Sequence, residues 1–377
     1  MLNAEVGWEL SRPMTPSVRL DDRSPIYLTW KYHCRFFNSH NMTSEILVFG
    51  AGAVGAFYGS RLARTGAQVS VVCRSNYSAV KANGFKVTSP QYGTYQWTPT
   101  RTFPNASETV KSKVPWDYIV VTTKALPDVG DDSAQLEGLV HDGTSIVLIQ
   151  NGLGVEQPYQ KRFPQASILS AVTIVSASQS QHGEITHNRW TRINLGPFLS
   201  ASASSNTRNA VTKRAEEFVS LLSQGGIKDA SVYTHARMQL LRWHKIAINA
   251  SMNPSSVLSN GSSNNAMSLD SEMYIHLKGV MDEILQTAPK VIGEPFPQDF
   301  ATSERILKST QKNTSGSRPS MWADWDQGKP MELEVILGNP IRIAREAGYE
   351  MPRLQSLYAL LKMAQKNRDE YRSKSKL

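Results

Sequence analysis

The sequence predicts an α/β chain in two parts, a doubly wound N-terminal domain followed by an all-α C-terminal domain. Two observations carry this reading. Up to about residue 236, short apolar runs alternate with helical patterns and end in polar residues, as the strands of a buried parallel sheet do. From about Arg237 onward, apolar residues recur at helical spacing with almost no strand-like alternation. Size agrees, because 377 residues are long for one core and comfortable for two. The expected organisation is an extension over 1–44, an α/β domain over 45–236 and a helical domain over 237–377.

The first strand is the run that opens ILVFGAGAVG, from Ile46 to Gly55. Its glycines are spaced G-x-G-x-x-G between an apolar strand and a helical pattern, the context of a Rossmann-type dinucleotide loop. Gly50 makes the tight turn, Gly52 lets backbone approach a pyrophosphate and Gly55 lets the helix pack on the strand. The helix N-terminus at Ala53 and Val54 then offers free N–H groups and a favourable dipole to the anion. A second strand, Val69 to Cys73, ends at Arg74, where an NAD enzyme would carry an acidic residue for the ribose hydroxyls. A guanidinium there suits a 2′-phosphate, so NADP(H) is expected over NAD; a solvated surface charge is the alternative.

Phe85 to Thr88 and Tyr92 to Trp97 flank a turn and read as a hairpin. Tyr118 to Thr122 and Ser145 to Leu148 are buried strands ending in polar residues, at the edge where a parallel sheet presents its ligand. Ile168 to Thr173, Glu184 to Thr186 and Arg192 to Leu195 read as further strands. Leu199 to Arg208 is a polar, low-complexity surface loop. In the helical part, the first helix is expected over Ala236 to Met252. Lys245, Asn249 and Asn253 recur every four residues and share one face of it and its continuation. Periodicity alone leaves two readings open, the wall of a polar cleft and a solvent-facing stripe.

The net charge of +9 biases the chain toward acidic ligands, but its Lys and Arg are scattered rather than gathered into a nucleic-acid-binding run. Cys34 and Cys73 are far apart, which argues against a disulfide framework and against a zinc site and fits a reducing compartment. His182 and His187 have no partner spacing and receive no metal role, and His244 is read as packing. No stretch approaches the roughly eighteen apolar residues of a membrane span. The first 44 residues lack the apolar block of a secretory signal.

Several separated motifs resemble one family, the ketopantoate reductases (2-dehydropantoate 2-reductases), NADP-dependent enzymes that reduce a 2-oxo acid to its 2-hydroxy acid. They are GAGAVG at Gly50 to Gly55, Cys73-Arg74, VTTKA at Val121 to Ala125, QNGLG at Gln150 to Gly154, Lys245-x-x-x-Asn249-x-x-x-Asn253, Ser320-Met321, and MELEVILG from Met331 to Gly338. The resemblance spans about Glu45 to Tyr371. It implies Lys245 as the general acid on the substrate carbonyl and Glu332 as the acid that binds the emerging hydroxyl. It implies Asn249, Asn253 and Ser320 as substrate contacts, with Asn151, Lys124 and Arg74 on the cofactor side. It also implies a cytoplasmic enzyme of pantothenate biosynthesis, with a small 2-oxo acid as partner and a homodimer as one open assembly. Ser317 stands where the family commonly carries Asn, Pro319 where serine is usual, and Arg318 adds a charge. These departures lie on the substrate side, so a different carboxylated ketone is the first alternative and a non-catalytic NADP(H)-sensing protein the second.

Overall fold

The computed structural model describes residues 43–374; Cys34 and nearly all of the extension read over 1–44 lie outside the described residues. The chain forms β1 (Glu45–Phe49), β2 (Gln68–Val72), β3 (Phe85–Ser89), β4 (Gly93–Trp97), β5 (Thr102–Phe103), β6 (Tyr118–Val121), β7 (Ser145–Leu148), β8 (Ser167–Gln181), β9 (Glu184–Pro197) and β10 (Ala230–Val232). They make one sheet in the order β4-β3-β9-β8-β7-β6-β1-β2-β5, with β10 beside β9. From β8 through β5 the neighbours are all parallel. Their Val- and Ile-rich runs are buried on both faces, as parallel strands between helices require. Because β2 lies on one side of β1 and β6 on the other, the winding reverses beside β1. The loops leaving Phe49, Val121 and Leu148 therefore open into one crevice.

Between and after the strands come α1 (Ala53–Ala63), α2 (Tyr77–Asn83), α3 (Ala106–Lys111), α4 (Gln157–Arg162) and α5 (Ser205–Gln224), then α6 (His235–Leu258), α7 (Asn264–Leu269), α8 (Ser271–Ile292), α9 (Ser303–Gln311), α10 (Ser320–Asp326), α11 (Asn339–Glu346) and α12 (Pro352–Lys374). One apolar core, with Phe57, Phe218 and Leu222, joins α1 and α5 to the sheet. A second, with Trp116, Ile119 and Tyr159, fills the other face. A third, with Trp243, Met281 and Leu337, is formed mainly by the helices from α6 onward together with Ala125, Leu153 and Val155 of the sheet loops, and each fully buried large apolar side chain contributes about 1.5–3 kcal/mol.

Three expectations need correction. Glu184 to Thr186 and Arg192 to Leu195 are the two ends of one strand, β9, because the polar stretch between them stays paired to β8 through bulges. The polar loop read through Arg208 ends earlier: α5 begins at Ser205, where the Ser204 side chain caps it by accepting from the Thr207 N–H. The helix read over Ala236 to Met252 continues to Leu258 through Pro254. Proline there removes one backbone donor, the one that would reach the Ala250 carbonyl, and in the next turn the Ser255 hydroxyl adds a bond to the Ser251 carbonyl at 2.6 Å. Among the described residues no helix is long and apolar enough to cross a membrane.

Candidate active site

The three glycines of the first loop answer three different demands. Gly50 has φ +98°, and a Cβ there would meet the Thr123 backbone nitrogen at 2.9 Å. A Cβ on Gly55 would meet Thr122 Oγ1 at 2.4 Å and the Gly50 carbonyl at 2.8 Å, so helix and sheet approach as closely as glycine allows. At Gly52 a Cβ would meet nothing within 4 Å. Its missing side chain thus leaves open space rather than making a protein contact. Gly52 also caps α1 with no side-chain hydrogen bond to the helix N-terminus, which leaves the first amides, at Ala53 and Val54, without a side-chain acceptor. That is a cradle suited to a pyrophosphate. Arg74 is exposed at the end of β2. Asn76, two residues on, is buried and donates to the Ala51 carbonyl at 2.9 Å, bracing the loop from outside the motif.

Helix α6 carries the polar stripe. Thr234 caps it by accepting from the Arg237 N–H, and Trp243, Ile246 and Ala250 are buried in the helical core. Lys245 Nζ donates to the Thr173 carbonyl of β8 at 2.9 Å. Burial, then the neighbouring Arg242, pushes this amine down to about 8, against the pull of Glu332. Asn249 follows one turn along. Asn253 is buried, and its Nδ2 has no hydrogen-bond partner among the described residues.

Glu332 is 8 % exposed and accepts from the Ala125 N–H at 3.3 Å. Burial raises its carboxyl to about 7, opposed by Lys124, the Ala125 amide and Lys245, and reinforced by Asp324. The chain reaches it just before a π-helical turn, Glu334–Gly338, of the kind often found at functional sites. Lys124 is in an ion pair with Asp324 of α10, so in this state it spans the crevice instead of projecting freely into it.

Val54, Asn151, Lys245, Asn249 and Ser320 all line one cavity of about 460 Å³. Five residues from four separated motifs therefore meet, with the glycine loop on one side and α6 on the other. Glu332, Lys124, Arg74 and Asn253 are not in its wall. A larger open groove, about 1680 Å³, lies between the 125–165 stretch and the segment from Glu334 to Lys362. Many of its charges are already paired, Arg162 with Asp131 and Glu137, and Glu334 with Arg342 and Lys362, and Lys245 is not among its lining residues. The smaller cavity is the candidate site.

The structure adds residues that the motifs did not reveal. Arg242, fully buried, pairs with the equally buried Glu156 at 2.6 Å and donates to the carbonyls of Gln150 and Gly152 at 3.0 and 3.1 Å. It thereby pins the loop carrying Asn151 to the helix carrying Lys245. His244 lines the cavity but packs as expected, with Nε2 against the Ala301 carbonyl at 2.8 Å and its ring near Phe300. Ser317 offers its carbonyl to the Asn264 N–H, and the Arg318 guanidinium lies 5.9 Å from the Trp322 ring centroid.

A doubly wound glycine-loop domain whose crevice is closed by a helical body bearing a buried lysine and a buried carboxylic acid defines the class. Comparison with known proteins names the family. Residues 46–200 match the model described as Ketopantoate reductase PanE/ApbA, and residues 237–365 its C-terminal counterpart. The crystal structure of 2-dehydropantoate 2-reductase from Methylococcus capsulatus superposes with a TM-score of 0.73 at 32% identity, covering 86% of this chain and 97% of that one. A 2-dehydropantoate 2-reductase from Nostoc is 28% identical, over 84% of this chain and 93% of its own. An uncharacterized protein of Saccharomyces cerevisiae is 29% identical, over 85% and 94%. The chain belongs to the ketopantoate reductase family.

Proposed function

We propose that this protein catalyses the NADPH-dependent reduction of a 2-oxo acid to a 2-hydroxy acid, with 2-dehydropantoate to pantoate as the reaction to test first. One observation carries the reading: Lys245 and the glycine-loop residue Val54 line a single cavity together with Asn151. Residues 45–236 would hold the cofactor and residues 237–377 the substrate groups. Arg74 would pair with the 2′-phosphate and the amides from Gly52 to Gly55 with the pyrophosphate. When bound, NADPH supplies a hydride, two electrons and one hydrogen, to the carbonyl carbon.

The protein's own share is electrostatic and positional. Negative charge develops on the carbonyl oxygen, and the Lys245 ammonium aimed there stabilises it and delivers the proton that completes the hydroxyl. An amine held near 8 is protonated at neutral pH yet gives up its proton far more readily than an ordinary lysine. Glu332, whose negative charge pulls the Lys245 pKa upward, would keep the ammonium populated and receive the new hydroxyl as a hydrogen-bond partner. Asn249, Asn253 and Ser320 would orient the remaining polar groups of the acid. Asn151 would stand between cofactor and substrate, and Lys124 would reach the cofactor side on leaving Asp324.

The test is NADPH oxidation by the purified protein with 2-dehydropantoate beside other 2-oxo acids, NADH serving as the cofactor control. Lys245→Ala is expected to lower kcat by about a hundredfold or more while NADPH still binds. NADPH binding with no turnover of any 2-oxo acid would overturn the catalytic reading in favour of nucleotide sensing.

A further inference from the structure

Among the described residues the Lys245 amine has a single hydrogen bond, to the Thr173 carbonyl of β8 at 2.9 Å. Where that carbonyl sits therefore decides where the amine sits. The ladder beside it is irregular. On β9, Thr191 pairs with Val175 and Arg189 with Ser176, which leaves Trp190 as the extra residue of a bulge, and the register shifts again after Ser176. Regular pairing thus ends just beyond Thr173, and something other than the sheet has to fix its position.

Tyr58 supplies that constraint. It stands on α1 one turn past Val54, so the two share a face of the helix whose N-terminus forms the glycine-loop cradle. Val54 lines the cavity, whereas Tyr58 is 1% exposed and does not. Its hydroxyl instead hydrogen-bonds the Thr173 hydroxyl and lies 3.1 Å from the Thr191 carbonyl. Thr173 Oγ1 in turn donates to the Arg192 carbonyl at 3.1 Å. One helix side chain thereby ties β8 to β9 beside the bulge. Burial pushes the phenol far above its usual range, so it stays a neutral donor. The set cannot pass a proton to Lys245, because a carbonyl oxygen stands between them. It can only hold.

We propose that Tyr58 is a positioning residue for Lys245: it fixes the Thr173 carbonyl, and through it the amine, relative to the glycine-loop helix. This rests on the reductase reading above and deepens it. With the cradle and the anchor on one helix, the hydride donor and the proton donor are referenced to the same rigid element, and a misplacement of about 1 Å can cost on the order of a hundredfold in rate. The reaction is unchanged: hydride to the carbonyl carbon and the Lys245 proton to its oxygen.

Tyr58→Phe keeps the ring and removes only the hydroxyl. Two quantities are read on the full-length protein. The first is the Lys245 titration without cofactor, by NMR of protein isotope-labelled at lysine Cε, the signal assigned by its loss in Lys245→Arg. The second is steady-state kinetics with NADPH and 2-dehydropantoate, or whichever 2-oxo acid the wild-type protein reduces fastest. A carbonyl acceptor favours the ammonium, so releasing it should move the Lys245 titration, and the alkaline limb of kcat/KM, to lower pH. The charged and titratable groups that act on Lys245 or line its cavity, Arg242, Glu332, Arg192, His244, Asp299 and Arg305, are untouched by the substitution, so a moved titration reports the anchor. kcat should fall by about tenfold or more while the NADPH Kd stays within about twofold.

Thr173→Val should reproduce both effects and Thr173→Ser should keep both near wild type. The double variant Tyr58→Phe with Thr173→Val should be little worse than either single one, as for residues that act as a unit. Tyr118→Phe removes another buried phenol, bonded to Arg214 and Glu217, and should lower Tm without moving the titration. An unmoved Lys245 titration with kcat near wild type overturns the inference and leaves the reductase reading standing. So do losses in the two single variants that add in full. A wild-type protein that turns over no 2-oxo acid overturns the reductase reading, and the catalytic role of the anchor with it.

Discussion

Gly52 and Gly55 are three residues apart in one motif, yet substitution should separate them cleanly. Gly55→Ala drives a methyl group to within 2.4 Å of Thr122 Oγ1 and 2.8 Å of a carbonyl, so a large loss of Tm is expected in thermal unfolding. Gly52→Ala meets no protein atom, so Tm should stay near wild type while NADPH affinity falls by about tenfold, read by fluorescence titration. The paired titration of Lys245 and Glu332 gives a second expectation. The ammonium is lost as pH rises through about 8 and the carboxylate is lost as pH falls through about 7. If both charged forms are needed, kcat/KM follows a narrow bell between those values, the two limbs belonging to the coupled pair. A profile flat from pH 6 to 9 would sink the assignment of these residues to proton transfer.

Helix α6 works only because something holds it against the loop it faces. That clamp is Arg242, whose five donors reach Glu156, Ser170 and the carbonyls around Gln150 and Gly152. Burial lowers its pKa, opposed by Glu156, but an arginine remains charged. Arg242→Leu leaves Glu156 as a buried, unpaired carboxylate and frees the carbonyls, so urea denaturation should show a loss of about 3–5 kcal/mol. The double variant Arg242→Leu with Glu156→Leu should recover part of that loss, since an apolar pair carries no uncompensated charge.

Lys124 and Asp324 join the two halves of the molecule, one from the loop after β6 and the other from α10. Asp324 also raises the Glu332 carboxyl. Asp324→Asn removes that negative charge, so the acid limb of the pH profile should move to lower pH, and pH-dependent kinetics would read the shift. An unmoved limb would mean that the crevice pair and the buried acid are electrostatically independent. Closure of such a crevice over ligands commonly controls turnover, and the same variant tests whether this ion pair resists it.

Much of the architecture was legible along the chain. The glycine loop, the buried strands and the four-residue stripe of Lys245, Asn249 and Asn253 are local patterns, and local steric and hydrophobic periodicity determine them. So was the family, through motifs whose order the fold reproduces. The bulge at Trp190 was not legible, because one extra residue in a strand leaves no periodic trace until the partner strand is known. Nor were Arg242 and Asp324, whose ion-pair partners Glu156 and Lys124 lie 86 and 200 positions away along the chain. The sequence by itself determined the fold class, the glycine loop and which polar residues share a helix face. Tertiary structure alone decided which face lines the cavity and which charges are neutralised there, because burial and ion pairing arise only when distant segments come into contact.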